Sequence, residues 1–167
     1  MNIKNYSRKK DGQKNITQNI KVYEVACKDG TDAVKMDYVI CCFAQYVREV
    51  LGKAIHINSG YRTTAYNRKV GGKSGSRHLK GCALDLWIQS VKQQDLANYF
   101  YSMGLVRVGV YSSFVHADTD RSPQWLSQGK FKKVNIPYLR LLKQGSKEYL
   151  VAIVQYKLNC LGYSCGV

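Results

Sequence analysis

The 167 residues of this chain are enough for one sizeable core with a small appendage. At 45% hydrophobic and 22% charged residues it is too apolar for disorder, and no run approaches the roughly 20 apolar residues of a membrane span. Twenty-six Lys and Arg against 11 Asp and Glu give +15, a field that favours polyanionic partners such as nucleic acid or a bacterial wall carrying anionic polymers.

In chain order, residues 1–20 are basic and polar, with a Lys9-Lys10-Asp11-Gly12 turn signal, and are expected to lie as an extended arm over the surface. Met1 to Gln18 lack the apolar core of a secretory signal, so synthesis and folding in a cytoplasm are expected. Lys21 to Cys27 fits a short strand or a helical turn equally well. From about Ala33 to Leu51, Val39, Cys42, Phe43, Tyr46, Val47, Val50 and Leu51 follow helical spacing, with Gly52 as the stop. Cys27, Cys41, Cys42, Cys82, Cys160 and Cys165 form no CxxC pair and read as core residues rather than disulfides or metal ligands.

Ala54 to Asn58 alternates like a strand and runs into Ser59-Gly60-Tyr61-Arg62; a helical Thr63 to Val70 follows. The loop Gly71-Gly72-Lys73-Ser74-Gly75 lacks P-loop spacing and reads as a flexible approach to His78. From Ala83 the chain is a strand, with Asp85 and Trp87 on one face and Leu84, Leu86 and Ile88 on the other. Gly81 allows a tight turn between His78 and that strand. A helix from about Val91 to Met103, capped by Ser90, precedes a hairpin of strands Leu105 to Tyr111 and Phe114 to Asp118. Its second strand puts His116 and Asp118 on the same side. Thr119 to Trp125 is irregular, with Trp125 packing back on the core. This order of strands and helices predicts an α+β fold, a small antiparallel sheet with helices on one side.

Pairing the two strands lets His78, Asp85 and His116 converge. Two imidazoles and a carboxylate with a fourth position open make the composition of a hydrolytic zinc site, one Zn²⁺ per chain. Asp118 is the remaining acidic residue of the motif, either as general base or as the carboxylate holding the far nitrogen of His116, with a slight preference for the latter. His56, on an alternating strand, reads as a packed or solvated histidine.

Together, Ser59-Gly60-Tyr61-Arg62-Thr63, Ser76-x-His78-x-x-Gly81-x-Ala83-x-Asp85 and Phe114-Val115-His116-x-Asp118 resemble the zinc peptidases of the D-alanyl-D-alanine carboxypeptidase type (peptidase family M15). That group includes cell-wall carboxypeptidases and phage endolysins and shares its fold with the hedgehog signalling domain. The resemblance covers roughly residues 18–126. It implies that Arg62 faces the metal and binds the substrate carbonyl or its oxyanion. It also implies that Ser76 orients the loop or binds substrate. Several relatives place an acid three positions before the last histidine; here that position is Ser113.

Residues 1–130 are therefore expected to form a catalytic domain, and 131–167 a linker and the start of a second domain. The Gly145-Ser146 pair and the Leu161-Gly162-Tyr163 ending of that segment resemble the start of a peptidoglycan-binding repeat; the alternative is a helix docked on the first domain. The resulting expectation is a monomeric zinc peptidase acting on peptidoglycan in the wall, as a D,D-carboxypeptidase or an endolysin-type endopeptidase, with no membrane partner. A zinc-containing wall-binding module is the alternative. Nucleic acid ranks last, because zinc-finger spacing and a basic, aromatic-interleaved helix are both missing.

Overall fold

A computed structural model describes residues 2–105, 107–120, 125–136, 147–160 and 162–163. The N-terminal segment is folded rather than draped. Strand β1 (Ile3–Ser7) pairs antiparallel with β4 (Ala33–Asp37), and between them lie α1 (Arg8–Asp11), the hairpin β2 (Asn15–Thr17) and β3 (Ile20–Lys21), and α2 (Val22–Val25). Lys21 to Cys27 thus ends a strand and makes a helical turn.

The reading that began a helix at Ala33 missed β4. Val34 and Met36 are buried while Ala33 and Lys35 are exposed, a period of two that propensity in the following helix obscures. The helix α3 (Tyr38–Leu51) starts where the Asp37 carboxylate accepts the Val39 N–H at 3.3 Å and stops at Gly52, whose φ of 60° suits glycine. Asp37 also accepts from the Asn2 N–H at 2.6 Å and from the Thr119 hydroxyl, tying the first strand to the segment after the last site residue.

The main sheet has the order β5-β6-β8-β7-β9, from β5 (Ile55–Ser59), β6 (Ala83–Ile88), β7 (Arg107–Val110), β8 (Val115–Asp118) and β9 (Trp125–Ser127). All neighbours are antiparallel except β7 and β9. Leu84, Leu86, Ile88, Val108, Val115 and Ala117 are buried on one face, in one cluster with apolar residues of α3 and of α5 (Gln93–Ser102). The expected α+β architecture, a small antiparallel sheet with helices against one face, is present. Two local readings change. Ser90, at φ 61°, does not cap α5, which starts after Lys92. Trp125 opens an edge strand on the far sheet face rather than joining the core.

The short α4 (Thr64–Lys69) leads to the glycine-rich loop. Helix α6 (Glu148–Cys160) packs on α3, with Ile153 fully buried and the rings of Phe43 and Tyr156 meeting edge-on at 5.5 Å. Gly145, Ser146 and Leu161 of the resemblance to a repeat lie outside the described residues. Cys27, Cys41, Cys42 and Cys82 are buried free thiols and Cys160 is an exposed one, while Cys165 lies outside the described residues. No described helix is long and apolar enough to cross a membrane.

Candidate metal centre

The site is built on the sheet face opposite the core. In the β6–β8 register Asp85 stands directly across from His116, which puts their side chains on the same face within reach of one another. His78 arrives from a 3-10 turn, Arg77–Lys80, closed by Gly81 at φ 73°. A methyl group on Gly81 would run into the Lys35 carbonyl, so backbone conformation and close approach both require glycine here.

His78 Nε2 lies 3.2 Å and His116 Nδ1 2.8 Å from Asp85 Oδ1, and the two imidazoles meet edge-on at 5.1 Å. All three candidate ligand atoms fall within 4.8 Å of one another. The opposite nitrogens are occupied: His78 Nδ1 lies 2.6 Å from the Gly60 carbonyl, and His116 Nε2 3.3 Å from Asp118 Oδ2. Both partners can only accept, so each of these nitrogens carries a hydrogen, and in the neutral rings the lone pairs point at Asp85. Three ligands held by a tetrahedral ion at roughly 2.0–2.2 Å stand about 3.3 Å apart, close to the spacings to Asp85 found here. The donor set and its orientation therefore fit zinc.

Without a metal, protons take its place among these groups. Burial alone would raise the Asp85 carboxyl, but hydrogen bonds from His116 and His78 outweigh it and hold the group well below the usual carboxylate range. Burial alone would lower His116; its hydrogen bonds to Asp118 and Asp85 prevail and raise it to about 8.

Arg62 sits beside this cluster. Its Nε donates to Ser59 Oγ at 2.7 Å and its terminal nitrogen to Asp85 Oδ2 at 2.6 Å, so it grips the outer oxygen of the carboxylate while lining the cleft. Asp118 is fully buried; it receives Arg107 Nε at 2.9 and 3.1 Å and the Asp120 N–H at 3.0 Å, besides its contact with His116. That position, behind the imidazole, is the geometry of a histidine-orienting carboxylate. The backbone of Ser76, rather than its hydroxyl, shapes the approach to His78: its N–H donates to the Lys73 carbonyl and its own carbonyl accepts from Leu79. Ser76 also lines the cleft. Ser113 is exposed at the hairpin tip, and His56 stacks on Trp87 at 4.2 Å, outside the cluster.

The cleft over these residues has a volume of about 720 Å³. Among the described residues lining it, Asp85 and Asp118 are the carboxylates, against four cations, Arg62, Lys73, Arg77 and Arg107. Arg107 and Tyr111 were not singled out from the sequence, and Trp125, expected to pack on the core, lines the cleft instead. Strand alternation carried a signal for the first, since Arg107 shares its sheet face with Asp118, its partner across the hairpin.

A family model described as Peptidase M15 matches residues 14–118, well over half the chain and a span that holds all six of the candidate site residues. No curated protein matches the chain.

Proposed function

The chain belongs to the peptidase M15 family, a group of metallopeptidases, and on that premise we propose that it hydrolyses an amide bond in the stem peptides of peptidoglycan, as an endolysin-type endopeptidase or a D,D-carboxypeptidase. The observation that carries this reading is the convergence of His78 Nε2 and His116 Nδ1 on Asp85 Oδ1 with both outer nitrogens held by acceptors. These three atoms would hold one Zn²⁺. When bound, zinc supplies Lewis acidity to the scissile carbonyl and lowers the pKa of a water toward about 7.

The remaining work falls to this chain's own groups. The Gly60 carbonyl and the Asp118 carboxylate keep the two imidazoles in the ligating tautomer. Arg107 neutralises Asp118 and fixes it behind His116. Arg62 keeps a positive charge at the edge of the cluster, where an oxygen gaining charge in the transition state would be stabilised. The overall +15 favours residence on an anionic wall. In the same reading residues 1–130 carry the chemistry, while 131–167 open a wall-binding repeat whose helix α6 leans on α3.

The second reading is a zinc-containing wall-binding module without turnover. Two observations favour it: Ser113 is exposed where relatives carry an acid, and Asp118 is already engaged by Arg107 and His116. Metal analysis together with peptide release from purified cell walls separates the two. One zinc per chain with release of peptides, both lost in His78→Ala, supports the peptidase. One zinc without release leaves the module, and a chain that takes up no metal ends both.

A further inference from the structure

Resting on the peptidase reading, we propose that Tyr111 is a further catalytic residue, its phenolic O–H donating a hydrogen bond to the scissile carbonyl oxygen as that oxygen gains negative charge.

The ring is held in place over the site. Tyr111 follows β7 at the hairpin, where its N–H donates to the Phe114 carbonyl at 2.9 Å and its ring stacks on Phe114 at 4.6 Å with 13° between planes. It is directed inward by an absent side chain. Gly109 pairs with His116 across the hairpin, on the face that carries the metal cluster. A methyl group on Gly109 would come within 3.1 Å of Tyr111 Cε2 and 2.8 Å of Trp125 Cη2. Both rings therefore lean into the space beside His116 that any larger residue would fill.

Tyr111 lines the same cleft as His78, Asp85 and His116. Its hydroxyl has no hydrogen-bond partner among the described residues, whereas Arg62 is bonded to Ser59 and Asp85, and Arg107 to Asp118. A phenol stays protonated across the neutral range and is a strong neutral donor. It donates without transferring its proton, so it aids the step without serving as the base. One preorganised donor to such an oxygen is worth on the order of 10²-fold in kcat.

The test compares zinc-loaded wild type with Tyr111→Phe, which keeps the ring and removes the donor. On wall peptides kcat should fall about 30- to 300-fold with KM within about threefold, zinc content and thermal midpoint being unchanged. Independently of turnover, calorimetric titration with phosphinate analogues of D-alanyl-D-alanine and of L-alanyl-D-glutamate should show binding weakened more than tenfold in Tyr111→Phe, because the tetrahedral phosphinate oxygen takes the place of the charged carbonyl oxygen. Equal phosphinate affinity in the two proteins, or a wild type that binds neither analogue, overturns the proposal. A wild type that binds a phosphinate yet releases no wall peptide sinks the peptidase reading instead, and the affinity comparison still decides the role of Tyr111.

Discussion

Asp118 illustrates how far a single side chain can be committed before any substrate arrives. Its carboxylate takes hydrogen bonds from Arg107, from the Asp120 backbone and from His116, and has no exposed surface. Replacing it with Asn preserves shape but removes the charge that both Arg107 and His116 address. Zinc affinity of Asp118→Asn, measured by competition with a chelating dye, should fall about 10- to 100-fold while one zinc per chain still binds at saturation. Unchanged affinity would detach this carboxylate from the metal centre. At this scale the sequence was most informative: alternation in two short strands already placed Asp85, His116 and Asp118 together. Partners outside those segments were not legible, because the Gly60 carbonyl is a backbone group with no side-chain signature. Arg62's grip on Asp85 depends on a rotamer that no spacing encodes.

Among elements, the turn before β6 does most to position the cluster. Gly81 combines a left-handed backbone with contact against the Lys35 carbonyl of β4, so the N-terminal strand pair braces the turn that carries His78. Gly81→Ala meets both obstacles at once and should cost about 1–3 kcal/mol. Chemical denaturation would register that loss, and zinc affinity should drop with it; a variant as stable as wild type would mean that the turn does not depend on this bracing. The sequence suggested this glycine, yet the strand it presses on was read as helix. Val34 and Met36 are too few to reveal a period of two when fourteen helical residues follow. β1 was similarly hidden, since Ile3, Lys4 and Asn5 are exposed and show no apolar alternation.

Across the whole molecule, the cluster of His116, Asp85 and Asp118 makes stability depend on pH. In the metal-free protein the folded-state pKa of His116 is raised to about 8 from an ordinary 6.5. Its stabilisation, about 2 kcal/mol, is fully present below pH 6.5 and is lost as pH rises through 8. Asp85 is shifted the other way, so its contribution holds above the ordinary carboxylate range and disappears as acid protonates it. Metal-free protein should therefore unfold at lower urea at pH 8.5 than at pH 6. Zinc should remove that alkaline loss, because the ion then occupies the place of the proton between His116 and Asp85. Equal urea midpoints at the two pH values without metal would contradict the arrangement of these groups. The sheet and its open face were foreseeable from strand spacing. The docking of α6 on α3 was not decided by the sequence, because an amphipathic helix announces that it has a partner but not which one.

The thiols have a consequence for where such a catalyst can operate. Cys41, Cys42 and Cys82 are sealed in the interior, and burial pushes Cys42 and Cys82 up to about 12. Sulfur kept in that state neither competes with imidazole for a soft-accepting ion nor cross-links readily in air. These three thiols thus stay inert whether their surroundings are reducing or oxidising.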